Sequence, residues 1–206
     1  MKSKKNKMII WMGLLLIAAA LLLVLYNMYE GFRAGWLASQ MAEQLEEFIF
    51  SGEKAKEGTE VPEYMWNPDM EMPVKIIDGR EYVGVLCIPS QELVLPVISK
   101  WSDSNLKIAP CRYEGSAYKD NLIIAGHNYT AHFGKLGNMR EGDTVIFTDM
   151  DGNVFTYKVM ELEILKPADI AGMERGNWDL TLFTCTMGGK SRITIRFKRE
   201  KMQTGY

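Results

Sequence analysis

The sequence is poor in the residues that would announce a class at once. Three cysteines in 206 residues are too few for a disulfide scaffold. There are two histidines, and neither a CxxC nor an HExxH occurs. His127 and His132 lie five apart and could recruit a metal with a cysteine. Zinc sites need three or four ligands in compact geometry, so metal chemistry is the weaker reading and no cofactor is expected. No excess of positive charge exists either: 24 basic residues face 26 acidic ones, a net charge of −2. A phosphate backbone asks for a basic surface, so nucleic acid is not the expected partner. Internal repeats and low-complexity stretches are missing. The charged share of 24% and aromatic share of 11% are ordinary for a folded chain, which excludes wholesale disorder. The length suits one globular domain with an appendage.

What is present is unevenly placed. Lys2, Lys4, Lys5 and Lys7 put four positive charges in the first seven residues, leaving the remainder acidic by six. Met8–Tyr26 then runs for 19 residues without a charge. At ~1.5 Å per residue such a helix spans ~28 Å, close to the ~30 Å hydrocarbon core. Four lysines precede it, while Glu30 and Arg33 nearly cancel after it. The positive-inside tendency keeps residues 1–7 as a cytoplasmic tail, makes 8–28 a signal-anchor helix held in membrane lipid, and exports the rest. The rival is a cleaved signal peptide, whose apolar core is usually ~7–15 residues and ends near a small-x-small site. The phrase Tyr26-Asn27-Met28-Tyr29 offers no such site. A buried core helix is the third reading.

Residues 29–72 read as a helical stalk and linker. Leu37, Met41, Leu45 and Phe48 recur at helical spacing beside Glu43, Glu46 and Glu47, the pattern of a helix packing on the domain or on a second copy. Residues 51–72 begin as a Gly-, Lys- and Glu-rich tether. Tyr64, Met65 and Trp66 make their second half too aromatic for a tether alone, so it is expected against the domain. Residues 73–206 form that domain. Short, β-branched runs predict strands at Tyr82–Ile88, Leu93–Ile98, Leu122–Ala125, Thr144–Thr148, Val154–Leu165, Leu180–Thr184 and Arg192–Lys198. Asp151-Gly152 is a hairpin signal. Ser102–Ser104 and Phe133–Met139 suggest short helical turns. The class is mainly β, a closed barrel or sandwich with short helices, since closure removes exposed edges.

The chemistry-bearing residues fall at strand ends. His127 emerges from the apolar run Asn121–Gly126. A lone histidine there is ordinarily structural, and Cys185 alone is as often an inert core residue. Together they read differently. Cys185 ends one strand, a six-residue loop with two glycines follows, and Arg192 opens the next strand. If the two strands pair antiparallel, Cys185 and Arg192 face each other ~4.5–5.5 Å apart at Cα. An adjacent cation lowers a thiol pKa, and a guanidinium offers several donors to a developing oxyanion. A histidine at the same rim would protonate the leaving group and activate a second nucleophile. That set is enough for acyl transfer.

The string Thr181-Leu182-Phe183-Thr184-Cys185, with Arg192 on the next strand and Gly126-His127-Asn128 upstream, resembles the sortases, membrane-anchored cysteine transpeptidases of Gram-positive bacteria. The order His, Cys, Arg and the N-terminal anchor match theirs, and the likeness covers roughly Tyr82–Arg199. The resemblance implies an eight-stranded sortase β-barrel, with one further short strand near Arg112-Tyr113. It implies that Cys185 attacks the Thr–Gly bond of an LPxTG-like sorting signal on a surface protein. A thioacyl-enzyme would then pass that protein to an amine of peptidoglycan or a pilin. His127 would be the general acid and then base, Arg192 the holder of substrate and oxyanion. Thr184 is an expected oxyanion helper. Thiol and imidazole would be largely neutral at rest. The catalytic domain would lie outside a cell membrane crossed once. The 14 residues Lys166–Asp179 are short for class B relatives, and no Asp-Pro-aromatic lid occurs, so no class is assigned.

A secreted cysteine peptidase that resolves its acyl-enzyme with water, and a non-catalytic membrane-tethered adaptor, remain the alternatives. Asp149–Asn153 imitates the start of an EF-hand loop, but Val154 and Met160 stand where Gly and Glu belong, so a hairpin turn is expected. Cys87 and Cys111 read as two small core residues rather than a disulfide. Arg196 shares the sheet face of Arg192 by even spacing; it is either a substrate-binding group or a solvated strand arginine.

Overall fold

The structure, a computed structural model, describes residues 2–51, 61–186 and 188–200. The first half of the expected linker (52–60), Met187 in the turn after Cys185, and the side chains of Lys2, Lys4 and Lys5 lie outside the described residues. The chain divides into two compact units, Met1–Arg33 and Ala34–Tyr206. The described residues of the first unit are all helical. Helix α1 (Lys2–Ser51) begins in it and passes residue 28 without a break, as expected of a stretch free of proline. This helix contains a segment long and apolar enough to cross a membrane, and its large apolar side chains from Met8 to Met28 are exposed.

The second unit is a closed β-barrel. Its strands are β1 (Lys75–Ile77), β2 (Arg80–Ile88), β3 (Leu93–Ile98), β4 (Cys111–Glu114), β5 (Leu122–Gly126), β6 (Thr144–Asp149), β7 (Val154–Leu165), β8 (Leu180–Cys185) and β9 (Arg192–Arg199). Eight of them close in the order β2-β3-β4-β5-β8-β9-β7-β6, with β6 returning to pair with β2. β1 is an extra hairpin strand on β2. Every strand expected from the alternation is present, β3 and β7 with the expected bounds, and the short strand near Arg112 is β4. β1 was not expected. Its turn is Asp78-Gly79, both at positive φ, the two-residue connection whose twist suits a hairpin. β3 and β4 meet at one parallel pair, Ile98 with Cys111, so the barrel is thinnest there.

Alternation along these strands sends one set of side chains inward. Leu86, Ile88, Leu122, Ile124, Leu180, Leu182, Ile195 and Phe197 meet there with Phe147, Phe155 and Tyr157, all at 0% exposure. A second cluster lies on the outside of the wall, under the part of α1 that belongs to this unit. Met41 and Leu45 pack with Tyr82, Val85, Ile98, Cys111 and Met150. The buried seam of the helix is Ala34, Ala38, Met41, Ala42 and Leu45, smaller in character than the expected Leu37–Phe48 stripe. Leu37 is only half-buried, and Phe48 is exposed, with Lys75 Nζ 3.8 Å above its ring. Small residues let the helix approach closely. A Cβ on Gly35 would stand 2.5 Å from the Ala131 Cβ, which leaves room for glycine only.

The segment 61–74 also belongs to the barrel rather than to a tether. Tyr64 stacks on Tyr118, with ring centroids 4.7 Å apart, and Met72 is buried in the inner core. Met65 and Trp66 stay exposed. Cys87 and Cys111 carry free thiols, and burial pushes the Cys111 thiol up to about 12. Asp149 Oδ1 accepts from the amides of Asp151 and Asn153, each at 2.9 Å, which makes Asp149–Asn153 the expected hairpin turn.

The α1 seam leads to a prediction about boundaries. Burying Met41 and Leu45 contributes about 1.5–3 kcal/mol each. A soluble chain beginning at Ala34 is expected to melt on the order of 10 °C above one beginning at Val61, given ~2–4 °C per kcal/mol at this size. Equal melting temperatures by circular dichroism would show that the helix is dispensable to the barrel.

Candidate active site

The register of three neighbouring strands assembles the site. β8 and β9 pair antiparallel with Cys185 directly opposite Arg192. The intervening turn is tied by Thr186: its amide donates to the Ser191 carbonyl at 2.9 Å, and its Oγ1 accepts from the Ser191 amide at 3.1 Å. Gly188 and Gly189 take positive φ there, as glycine does most cheaply. Arg192 Nη1 donates to Cys185 Sγ at 2.8 Å. On the other side β5 runs parallel to β8, with Gly126 opposite Thr184. The residue after Gly126 therefore arrives beside the one after Thr184, and those two are His127 and Cys185.

His127 is held by its own loop. The Phe133 amide donates to the His127 carbonyl at 3.0 Å, and the Phe133 ring fills the space where a Gly126 Cβ would be, 2.4 Å away. The Tyr129 ring lies 4.8 Å from the imidazole. Burial lowers the His127 pKa, the charge of Lys107 lowers it further, and Asp103 opposes both. The imidazole is thus predominantly neutral at pH 7, able to take a proton before it gives one.

His127, Cys185 and Arg192 line one cavity of about 390 Å³. Its floor is aromatic: Trp101 and Tyr113 meet edge-to-face at 6.2 Å, and Tyr113 and Phe183 at 5.4 Å. Lys166–Ile170 and Met173 form a further wall, around the five-residue helix α3 (Ile170–Glu174). No residue of 61–74 lines this cavity, so that segment does not cover Cys185. Sequence reasoning missed the aromatic floor. Tyr113 sits on the short strand β4, and Trp101 follows β3 in a loop, where no periodicity marks a residue as lining a site.

Two further expected residues have different settings. Thr184 also lines the cavity, while it pairs with Ile193, the register position facing the barrel interior. Its buried Oγ1 has no hydrogen-bond partner among the described residues, and by strand alternation it points away from the face that carries Sγ. Arg196 is neither solvated nor in the cavity. It is 1% exposed and pairs with Glu163 at 2.9 Å. Even spacing did put it on the Arg192 face; a covering segment, invisible to periodicity, buried it.

The sortase domain family model matches residues 86–200. The chain belongs to the sortase family, whose members are cysteine transpeptidases. Sortase A of Bacillus anthracis is 27% identical over 125 residues, 57% of this chain and 59% of that protein. The chain therefore matches less than two thirds of that relative's length. Among solved structures, the sortase D5 transpeptidase of Clostridium perfringens matches with a TM-score of 0.57 at 18% identity, over 80% of this chain and 99% of that one. Sortase C of Streptococcus pneumoniae matches at 0.54 and 21%, over 80% and 91%. These structural likenesses establish the sortase fold of the barrel.

His132, the other histidine of the possible metal pair, has a different setting. It is 0% exposed, 5.6 Å from the Tyr129 ring, and neither ring nitrogen has a hydrogen-bond partner among the described residues. Burial pushes its pKa down to about 4, and the charge of His127 adds to the fall. Between pH 6.5 and about 4 the unfolded chain binds a proton at this position that the folded chain refuses. Stability therefore falls with pH across that window, by up to about 1.4 kcal/mol per unit. Asp149, whose carboxyl burial raises, acts in the opposite sense, so the comparison must be between variants. His132→Phe is expected to flatten this slope in urea titrations; an unchanged slope would remove His132 as its source.

Proposed function

We propose that this sortase is a membrane-anchored transpeptidase that cleaves an LPxTG-like sorting signal and transfers the surface protein to an amine. The observation that carries the reading is the 2.8 Å contact between Arg192 Nη1 and Cys185 Sγ in a cavity that His127 also lines. As Sγ attacks the threonine carbonyl carbon, its proton passes to the neutral His127. Negative charge gathers on the carbonyl oxygen, where the remaining Arg192 donors stabilise it. The imidazolium then protonates the departing glycine nitrogen, and the thioester remains on Cys185. In the second half an acceptor amine attacks that thioester, loses a proton to His127, and the sulfur leaves with that proton. The aromatic floor suits the leucine–proline part of such a signal, and the cavity walls limit the water that would divert the thioester to hydrolysis.

In this reading residues 1–7 stay in the cytoplasm, 8–28 cross the membrane once, and the barrel with its supporting helix works outside the cell. The partners are surface proteins with a C-terminal sorting signal and an amine acceptor of peptidoglycan or a pilin.

Incubation of the soluble chain from Ala34 with a sorting-motif peptide and triglycine tests the proposal. A thioacyl adduct on Cys185 by intact mass and a triglycine-extended product are expected. Cys185→Ala is expected to abolish both with the fold retained. Arg192→Lys should lower kcat/KM about 10²-fold or more, because an ammonium cannot reproduce the planar donor fork. Only the hydrolysed acid as product would favour a peptidase, and no adduct with any motif tried would favour a non-catalytic adaptor.

A further inference from the structure

One wall of the catalytic cavity is held by a side chain from β9 as well as by its own turn, in which Asp169 Oδ1 accepts from the Gly172 amide at 2.8 Å. It is the stretch Lys166–Met173, whose helix α3 has five residues and exposes Ile170 at 57%. A helix this short leaves its last carbonyls without intrahelical partners. Arg196 supplies them. Its Nη2 donates to the Gly172 carbonyl at 2.6 Å, and its Nη1 donates to the Met173 carbonyl at 2.7 Å. The same guanidinium is fastened to the barrel, through Nη1 to Thr181 Oγ1 at 3.0 Å and through Nε to Glu163 Oε1 at 2.9 Å. Glu163 Oε2 in turn accepts from Arg175 Nη2 at 2.8 Å, just past the end of α3. A buried guanidinium is tolerated only when paired and hydrogen-bonded, and here its partners include two carbonyls of the wall segment itself. The contact is specific to Arg: a point cation such as lysine cannot reach a carboxylate, a hydroxyl and two carbonyls in one plane.

We infer that Arg196, with Glu163, is a positioning residue that pins the Lys166–Met173 wall against the barrel and so sets affinity for, and choice among, sorting peptides, without taking part in the chemistry at Cys185. The inference rests on the reading of the cavity as the peptide site. Met173 lines the cavity and its carbonyl is one of the pinned groups, so release of the pin displaces the wall directly. Cys185, His127 and Arg192 are carried by β8, the loop after β5, and β9, and none of the pin's hydrogen bonds involves them.

Arg196→Met and the milder Glu163→Gln test this in the soluble chain from Ala34. With a sorting peptide and triglycine, Arg196→Met is expected to raise the peptide KM about 10-fold while kcat changes less than about 3-fold. Discrimination among peptides varied at the first motif position should weaken. Glu163→Gln should move both in the same direction by less. The rate at which iodoacetamide alkylates Cys185 should stay within about 2-fold of the parent, which a globally damaged fold would not allow. Hydrogen exchange at the amides of 166–175 should quicken with β8 and β9 unchanged. That readout needs no turnover, so it tests the pin even if the parent chain proves not to be a transpeptidase. Unchanged exchange in that segment, or a fall in kcat with KM unaltered, would overturn the inference.

Discussion

Everything in the site depends on the pairing register of β8 with β9. Because successive side chains alternate between faces, a slip of one residue would turn Arg192 toward the barrel interior and bring Ile193 opposite Cys185. The register is protected on both faces. Inside, Leu182 opposite Ile195 and Leu180 opposite Phe197 belong to the core, and a slip would drive them out of it. Outside, Thr181 opposite Arg196 forms one end of a buried polar network. The short turn 186–191, tied by Thr186 and Ser191, closes the hairpin at the catalytic end. The Arg192–Cys185 contact is thus not held by its own strength. It is the consequence of apolar burial distributed over two strands, which is the usual way a barrel keeps a reactive pair aligned.

The same reasoning explains why the imidazole comes from β5. Parallel neighbours in a barrel end at the same rim, so His127 needs no long loop to reach Cys185. It needs support from behind, and the loop 127–134 supplies it with Phe133 seated on Gly126 and Ala131 pressed against Gly35 of α1. The helix that follows the apolar N-terminal segment therefore buttresses the catalytic loop. Small residues at positions 34, 35, 38 and 42 make that approach possible. His132, fully buried in the same loop with no hydrogen-bond partner for its nitrogens among the described residues, is the cost of packing an imidazole where an apolar ring would have served.

Most of this was legible where the signal is periodic. Alternation located seven of the eight barrel strands, and the likeness to sortases supplied β4, which is four residues long and pairs with β3 at a single position. β1 escaped although Asp78-Gly79 carries a hairpin signal, because three residues give alternation too little to work on. Cys185 and Arg192 were legible because a strand–turn–strand phrase predicts its own cross-strand partner. Trp101 and Tyr113 were not, since membership of a cavity floor depends on contacts between elements far apart in sequence. The α1 seam reads as a stripe of large residues, whereas three of its five buried positions, 34, 38 and 42, are alanine. Hydrophobic pattern reports how apolar a face is, not how closely two backbones approach.

Arg192 and Arg196 put that limit most sharply. They sit four residues apart on one strand, on one face, with the same side chain. Arg192 opens β9 beside a turn, where among the described residues the thiol is the partner of its Nη1 and donors remain for a substrate. Arg196 lies mid-strand, beneath a crossing segment whose carbonyls and a glutamate claim its donors. A guanidinium with free donors beside a nucleophile can stabilise charge that develops during a reaction. One whose donors are already satisfied can only hold its partners still. Period-two spacing assigns both to the same face, but what covers that face decides which of the two, in the proposed mechanism, does chemistry and which gives it a wall to work against.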